Sequence, residues 1–328
     1  MFLVDEFVRI SNISLCGGSQ LDAGNSMGLP LGLTLVLAPL SFIIVFLNII
    51  ICFLVILNKN LRTYTNGFIV SLGVSDLLFG GFFLPIYIHD PQNKQVTGFI
   101  TALVLFTNVS NLCALTAERF LALTRPMQYR YLISKYFKVM ISLAWVLPIV
   151  ISALPFCWSS TASPLFQDIY LYSTMFIFAF LPYIFIIVTY VFLFRAVRQR
   201  RRDMHKLASQ KGKNEKVSST EVKVAKVFFI IAILFAASWL PIVYMTTCMI
   251  FKREDLIPSE LERAHTFILA FNAMYNPILY AFMKPDFKNA LKKLLGRGNK
   301  RRECGTMRST ATADVVTETQ NLTEATKV

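Results

Sequence analysis

The stretch TGFITALVLFTNVSNLCALTAERFLALT, residues 97–124, decides the fold class. A helix needs about 20 residues to cross the ~30 Å hydrocarbon core of a bilayer, and this stretch is longer than that. It carries no charged side chain before Glu118, where Glu118 and Arg119 stand side by side. Because an unpaired buried ion is expensive, we expect this pair at a membrane boundary, in contact with each other or with a partner.

Six further stretches of the chain are long and apolar in the same way. They cover about residues 30–57, 66–89, 135–157, 168–197, 221–250 and 261–283. The chain of 328 residues is 55% hydrophobic and 16% charged, whereas soluble proteins carry roughly a quarter charged residues. Prolines inside several stretches predict kinks, because neighbouring helices can satisfy the carbonyls that proline frees. We therefore predict an all-α membrane fold, a seven-transmembrane helix bundle.

Lysine and arginine residues set the predicted orientation. Seven spans place the chain ends on opposite sides, and 28 of the 33 basic residues fall on the side of the C-terminus. By the positive-inside rule that side is the cytoplasm, so we expect a multi-pass plasma-membrane protein with an extracellular N-terminus. The net charge of +14 fits attraction to anionic membrane lipid, and a nucleic-acid partner is not expected. Acidic residues in the opening segment predict that no signal peptide is cleaved.

Polar residues in the middle of the spans point to a functional site. Asp76 is the one carboxylate in the middle of a predicted span, and an ionisable group at that depth is a functional-site hypothesis by default. Its candidate neighbours are asparagines of the first, third and seventh spans: Asn48, Asn108, Asn272 and Asn276. The alternative role of these amides is to link neighbouring helices, at ~0.6 to 2 kcal/mol each.

A second group of polar residues lies at the cytoplasmic end of the bundle. Glu221 begins the sixth span at the depth where Arg119 ends the third, so Arg119 can pair with Glu118 and with Glu221. We predict a breakable clasp between these two spans, whose release lets the sixth span move. The alternative is that Glu118 and Arg119 only extend to the membrane interface. Farther along the sixth span, Phe235 and Trp239 lie nearly in line with Glu221.

The sequence offers no arrangement for enzyme chemistry. It shows no Ser-His-Asp, paired-acid or metal-ligand spacing that would face a common site. The cysteines are scattered without the pairing of a zinc site or a disulfide-rich domain: Cys16, Cys52, Cys113, Cys157, Cys248 and Cys304. We predict that the protein is not an enzyme.

Seven motifs occur in register, one on each predicted span: FLNII, SLGVSDLL, ERF, a lone Trp145, FLPYIFIIVTY, SWLP and NPILY. In this order they resemble the rhodopsin-like (class A) G-protein-coupled receptors over residues 30–295, without matching one subfamily. The resemblance implies a receptor that converts binding of an extracellular ligand into heterotrimeric G-protein activation by outward movement of span six. The alternatives are a receptor-like scaffold that does not couple, and a transporter that uses Asp76, although no internal repeat is visible.

The resemblance also implies roles for individual residues. An allosteric sodium ion, the one cofactor expected, would bind in a pocket formed by Asp76, Asn108, Asn272 and Asn276. Conformational switches are implied at Glu118, Arg119, Tyr190, Glu221, Phe235, Trp239 and Tyr280. Arg119 would meet the G protein, and Met127 in the second cytoplasmic loop would dock on it.

This chain departs from the family pattern at the outer end of the third span. Family members usually carry a cysteine there, bonded to the second extracellular loop, whereas the segment NKQVTGFITAL has none. On the outward side Cys157 could pair only with Cys16 or Cys248. The motif ERF keeps the acid and the arginine of the commoner Asp-Arg-Tyr.

The resemblance implies which positions face the ligand, and the residues there disfavour a monoamine held by a salt bridge and a Schiff-base chromophore. Thr101 stands where amine receptors carry an aspartate, and Ala270 stands where opsins carry the retinal lysine. We expect a neutral or lipid-like small molecule or a short peptide. The rim residues Asp90, Glu262 and His265 either meet a cationic ligand group or are solvated. The predicted lining is apolar with a few hydroxyls: Tyr87, Thr101, Leu105, Thr174, Phe178, Ile242, Thr246 and Thr266.

The remaining predictions concern segments on either side of the membrane. We expect an extracellular N-terminus at 1–29, a receptor domain at 30–283, an amphipathic interfacial helix at 284–295 and a disordered cytoplasmic tail at 296–328. Asn12, in a sequon, is a predicted glycosylation site. Cys304 is either palmitoylated or an unmodified thiol. Serines and threonines of the tail are candidate sites for a receptor kinase and arrestin.

Overall fold

The computed structural model describes residues 31–89, 94–157, 163–211 and 219–294. Its helices are α1 (Leu31–Leu57), α2 (Tyr64–His89), α3 (Lys94–Thr124), α4 (Pro126–Ala153), α5 (Pro164–Met175 continued by Leu181–Lys211), α6 (Ser219–Ile250), α7 (Ser259–Met283) and α8 (Pro285–Leu294). Three short 3₁₀ turns lie at Lys59–Leu61, Leu154–Cys157 and Glu254–Leu256. The sites predicted at Asn12, Asp90, Cys304 and the tail lie outside the described residues, as do the side chains of Glu221 and Glu262.

The predicted seven-span helical bundle is confirmed. Six helices of the described ranges are each long and apolar enough to cross a membrane. The seventh, Ser259–Phe282, meets the same test together with α8, which is bent from it by 82°. The helices pack through buried apolar side chains, while many large apolar side chains on the outer surface are exposed, as contact with lipid requires.

The fourth helix begins before the predicted fourth span. The sequence places the start of that span near residue 135, and α4 begins at Pro126. Proline is favoured in the first turn of a helix because its fixed φ suits the helix and its missing N–H costs nothing there. The predicted second cytoplasmic loop is therefore helical, and Met127 lies in the first turn of α4 with its side chain 95% exposed.

Prolines inside α2 and α5 are accommodated by wider π-helical turns. In α2 the turn Phe79–Phe83 precedes Pro85, and in α5 the turn Phe176–Phe180 precedes Pro182. Such a turn carries one extra residue in the helical repeat, so the carbonyls near the proline lose their usual donors. In α2, the Ser41 hydroxyl of α1 donates to the Gly80 carbonyl at 2.6 Å. Neighbouring helices thus satisfy the freed backbone, as expected for a membrane bundle.

The outer ends of α3, α4 and α5 are joined without a cysteine bridge in the described residues. The ring of Phe99 on α3 meets the ring of Phe156 edge-on, with centroids 5.3 Å apart. The Tyr170 hydroxyl of α5 donates to the Ile151 carbonyl of α4 at 2.7 Å. That carbonyl lies four residues before Pro155, which has no N–H to donate to it. Cys157, which is exposed, and Cys248, which is buried, are both free thiols.

Candidate functional site

A buried carboxylate joins three helices at the centre of the bundle. Asp76 of α2 is fully buried. Its Oδ1 accepts a hydrogen bond from Asn108 Nδ2 of α3 at 2.6 Å, and its Oδ2 accepts one from Asn276 Nδ2 of α7 at 3.0 Å. Asn272, one turn before Asn276, is also buried. The structure therefore brings Asp76, Asn108 and Asn276 together, as the sequence suggested.

Asn48 of α1 links α1 to α7. Linking neighbouring helices is the alternative role given above for the central asparagines. Asn48 Nδ2 donates to the Ala273 carbonyl of α7 at 3.3 Å and to the Ile44 carbonyl of its own helix at 3.0 Å. A second link joins three other helices: Trp145 Nε1 of α4 donates to Ser71 Oγ of α2 at 2.8 Å, and Ser71 donates to Asn111 Oδ1 of α3 at 2.5 Å. These bonds fix the helices around Asp76.

The charge of Asp76 sets the chemistry of this central site. Both groups that bond the carboxylate are neutral amides, so they orient it without neutralising it. Within the described residues no cluster of three or more His, Cys, Asp or Glu side chains could hold a metal ion. Asn108 and Asn276 both reach Asp76 through their amide nitrogens, so an all-oxygen cation site would require these amides to turn.

Glu118 and Arg119 form the core of a second polar cluster, near the C-terminal end of α3. Arg119 Nε lies 2.5 Å from Glu118 Oε2, and Arg119 Nη2 lies 2.5 Å from Glu118 Oε1. The Thr65 hydroxyl of α2 donates to Glu118 Oε1 at 2.8 Å and accepts a bond from Arg119 Nη2. The Tyr129 hydroxyl of α4 also donates to Glu118. We call Thr65, Glu118, Arg119 and Tyr129 the inner latch.

The sequence pointed to two of the four latch residues and missed the other two. Tyr129 was hidden because the segment from Pro126 was predicted to be a loop, whereas the first turn of α4 carries Tyr129 back to Glu118. Thr65 follows the N-cap Thr63 of α2 and resembles an ordinary polar residue at a helix start. The clasp to Glu221 stays a prediction, since only its backbone, in the first turn of α6, is described.

The predicted switch residues between the two polar clusters are buried. Tyr190 of α5 lies beside Thr116 and Arg119 of α3. Tyr280 of α7 packs against Phe287 of α8, with ring centroids 6.3 Å apart. Their burial places both tyrosines inside the bundle, on the path from Asp76 to the inner latch.

On α6, Phe235 and Trp239 are in ring contact, with centroids 5.4 Å apart. Trp239 Nε1 is buried and has no hydrogen-bond partner in the described part of the chain. An indole N–H left without a partner is costly in a buried site, and a ligand or a water molecule would satisfy it.

All eight residues of the predicted ligand lining are buried toward the outer half of the bundle. Their hydroxyls are engaged: Thr174 donates to the Tyr170 carbonyl at 2.8 Å, and Thr246 donates to Met175 Sδ at 3.6 Å. Phe178 of α5 stacks on Phe106 of α3, with centroids 4.2 Å apart and an interplanar angle of 15°. This stack fills the gap between α3 and α5.

A polar cluster lies on the opposite side of the outer half, between α2 and α7. Tyr87 lies near Thr266, and Thr266 Oγ1 lies 3.4 Å from His265 Nε2. His265 is only 4% exposed, so the alternative in which it is solvated is wrong. Its place on the inward face of α7 next to Thr266 explains the burial. None of the eight lining residues carries a full charge.

Comparison with known proteins agrees with this arrangement. The family model described as 7 transmembrane receptor (rhodopsin family) matches residues 47–280. Melanopsin of Podarcis siculus is 27% identical over 274 residues, which cover 75% of this chain and 58% of melanopsin. Adenosine receptor A2a of Canis lupus familiaris is 28% identical over 289 residues, which cover 76% of this chain and 68% of the receptor.

A third relative is the Gq-coupled rhodopsin of Mizuhopecten yessoensis, 28% identical over 264 residues that cover 71% of this chain and 53% of the rhodopsin. The chain spans about half the length of the melanopsins that it matches. The matched region contains the central carboxylate, the inner latch and the aromatic pair of α6. The chain belongs to the rhodopsin family of seven-transmembrane receptors.

Proposed function

We propose that this protein is a plasma-membrane receptor that converts binding of an extracellular ligand into activation of a heterotrimeric G protein. The observation that carries the proposal is the inner latch, in which side chains of α2, α3 and α4 converge on Glu118 and hold Arg119. A receptor needs an equilibrium between two arrangements that a ligand can shift. A charged group held by several breakable bonds at the cytoplasmic end provides such an equilibrium.

In the proposed mechanism, the ligand acts on the outer half of the bundle and the latch responds at the inner end. Contact with Trp239 displaces the aromatic pair of α6, and the inner half of α6 moves outward. Arg119 then leaves Glu118, and a segment of the G protein enters beside it. Tyr190, which lies next to Arg119, is placed to bond the released guanidinium. Met127, exposed at the start of α4, offers an apolar contact to the same partner.

A sodium ion at Asp76 fits the residues present. A buried carboxylate that is bonded only by neutral amides is stabilised by a cation or by a proton. Asp76 would supply the charge, and Asn108 and Asn276, whose amides bond Asp76, would present their oxygens after rotation. Asn272, buried one turn before Asn276, would be a further ligand. Bound there, the ion would stabilise the packing of α2, α3 and α7 around the carboxylate.

The outer site favours an uncharged ligand. Its lining residues carry no full charge, and the Phe106–Phe178 stack leaves the polar cluster of Tyr87, Thr266 and His265 as the hydrogen-bonding side. The melanopsin relatives are named as opsins, but Ala270 stands where the resemblance places the retinal lysine, so a Schiff-base chromophore is disfavoured. The adenosine receptor relative is named for a neutral nucleoside, and a nucleoside is compatible with this lining.

A screen tests the proposal directly. Cells that display the receptor are exposed to neutral nucleosides, lipids, amines and short peptides, and activation is followed with sensors for several G-protein classes. The Gq class is included because one relative is named as Gq-coupled. We expect at least one uncharged compound to activate one sensor, and Arg119→Ala to abolish that response. Activation that survives Arg119→Ala, or a receptor that stays silent in every arm even with Glu118→Gln, would contradict the proposal.

A further inference from the structure

A buried lysine lies at the junction of α7 and α8. Lys284, between Met283 and Pro285, is only 4% exposed. Its Nζ donates a hydrogen bond to the side-chain oxygen of Asn66 on α2 and lies 5.2 Å from the centroid of the Phe287 ring. The ion pairs found among the described residues join Arg119 to Glu118 and Arg253 to Asp255, so neither involves Lys284.

This lysine is an expensive choice for a buried position. Burial, together with the nearby positive charge of Arg119, lowers the pKa of Lys284 from 10.5 to about 8. Glu118, a buried acid whose charge acts on Lys284, already bonds Arg119, Thr65 and Tyr129. A long apolar side chain would fill the same space without the cost of desolvating a charge. Packing alone therefore does not account for the lysine.

The side chain of Asn66 is oriented to accept the hydrogen bond from Lys284. It is fully buried, and its Nδ2 donates to the Leu61 carbonyl at 2.7 Å, which turns its Oδ1 toward the lysine. Asn66 directly follows Thr65, the α2 residue that accepts the bond from Arg119. Two consecutive residues in the first turn of α2 thus bond two basic side chains, Arg119 of α3 and Lys284 at the α7–α8 junction.

We propose that Lys284 and Asn66 form a junction latch that holds the inner end of α7 and α8 against α2 in the arrangement where Arg119 is held by Glu118. Lys284 is a positioning residue in this proposal, because it acts on signalling through the placement of α7 and α8. The two latches share the first turn of α2, so loosening one weakens the other. The inference rests on the proposed receptor function and adds a second restraint to it.

The experiment compares three variants of the full chain, purified in lipid nanodiscs without ligand. Lys284→Met removes the charge and the hydrogen bond but keeps the length, and Asn66→Ala removes the acceptor. Lys288→Met removes an exposed lysine one turn further along α8 and is the matched control. We expect the first two variants to raise ligand-free G-protein turnover several-fold and the control to leave it unchanged.

A second measurement separates positioning from general loss of structure. Spin labels at the exposed positions Lys59, before α2, and Leu294, at the end of α8, report the distance between the two elements without any G protein. We expect Lys284→Met and Asn66→Ala to broaden this distance distribution, while the thermal midpoint of Lys284→Met does not fall. A narrow, unchanged distribution in both variants would overturn the junction latch.

The two readouts also separate this inference from the proposed function. If Glu118→Gln raises turnover but Lys284→Met and Asn66→Ala do not, the receptor function stands and the junction latch is overturned. If the distance distribution broadens while no variant, including Glu118→Gln, ever activates a G protein, the junction latch stands as a structural restraint and the coupling function is contradicted.

Discussion

The Thr65 hydroxyl of α2 donates a hydrogen bond to Glu118 Oε1 of α3 at 2.8 Å, and the same oxygen of Thr65 accepts one from Arg119. One neutral side chain therefore bonds both members of the ion pair. Removing the Thr65 hydroxyl leaves the charges of Glu118 and Arg119 in place and takes away only their bonds to α2. This change therefore tests the inner latch more sharply than the removal of either charge.

We predict that Thr65→Val raises ligand-free signalling several-fold. Valine keeps the shape of threonine but cannot bond Glu118 or Arg119, and a hydrogen bond to a charged group contributes roughly 1.5 to 3 kcal/mol. The measurement is basal G-protein activation at equal surface expression. Thr124→Val is the matched control, because the Thr124 hydroxyl is exposed and bonds only its own helix, at the Phe120 carbonyl. Equal basal activity in wild type and Thr65→Val would contradict the role of Thr65.

We predict that Glu221→Ala also raises ligand-free signalling. If the carboxylate at the start of α6 pairs with Arg119, its removal frees α6 to move outward without a ligand. The same basal assay checks this, with Glu260→Ala in the first turn of α7 as a control for the loss of an acidic residue. A basal level that matches wild type would mean that Arg119 is held by α2, α3 and α4 without α6.

We predict that sodium raises the thermal midpoint of the purified receptor and that Asp76→Asn abolishes the effect. The amide of asparagine keeps the size of the carboxylate and removes the charge that would hold the ion. Midpoints are compared in sodium chloride and in choline chloride at equal ionic strength. Asp286→Asn, at an exposed carboxylate of α8, controls for a general change in charge. A sodium effect that persists in Asp76→Asn would place the ion elsewhere.

We predict that stability rises with pH between about 8 and 10.5 because of Lys284. Its pKa is about 8 in the folded protein and 10.5 for the free side chain, so the unfolded chain binds more protons in this range. The protonated lysine therefore costs stability below pH 8, by about 3 kcal/mol, and the cost disappears as the pH rises. Arg119, Glu118 and Asp286 are the charged groups that act on Lys284.

Thermal midpoints measured from pH 7 to pH 10 check this pH dependence. Lys284→Met should be more stable than wild type at pH 7. Its thermal midpoint should show little of the increase with pH, whereas that of Lys288→Met should increase as in the wild type. A wild-type midpoint that falls steadily across this range, with the same slope in Lys284→Met, would show that Lys284 is not the titrating group.

We predict that Tyr170→Phe lowers the thermal midpoint by a few degrees and that a reducing agent does not lower it in the wild type. Phenylalanine loses the hydrogen bond to the Ile151 carbonyl, a contribution of about 1 kcal/mol. Tyr172→Phe, on the same helix, is the control. The thiols of Cys157 and Cys248 are free, so reduction has no bond to break between them. A drop on reduction would indicate that Cys157 pairs with Cys16.

The sequence predicted the central site better than the cytoplasmic end, for a physical reason. Asp76, Asn108 and Asn276 are polar residues in the middle of apolar spans, where each is conspicuous because burial there is costly. Thr65, Asn66, Tyr129 and Lys284 lie near helix ends, where polar residues are common and are usually solvated. Only the packing of the helices shows that these four are joined to residues of other helices.

The sequence also predicted the middle of each helix better than its ends. The apolar stretches located the middle of each span, but not where a helix continues beyond the membrane, and α4 begins well before its predicted limit. Cytoplasmic turns of a helix are stabilised by ordinary helix-forming residues, which hydrophobicity does not detect. The burial of His265 was missed because its neighbours on α7 decide which way it faces.

The π turn in α2 also governs which residues of its outer half can touch a ligand. The extra residue rotates everything beyond Phe83 by about 100° relative to a regular helix, one residue's share of a 3.6-residue turn. Deleting a single residue from Phe79–Phe83 would straighten the helix and swing Tyr87 away from Thr266. Matching ligand contacts between this chain and a relative by counting residues is therefore valid only if the relative carries the same insertion.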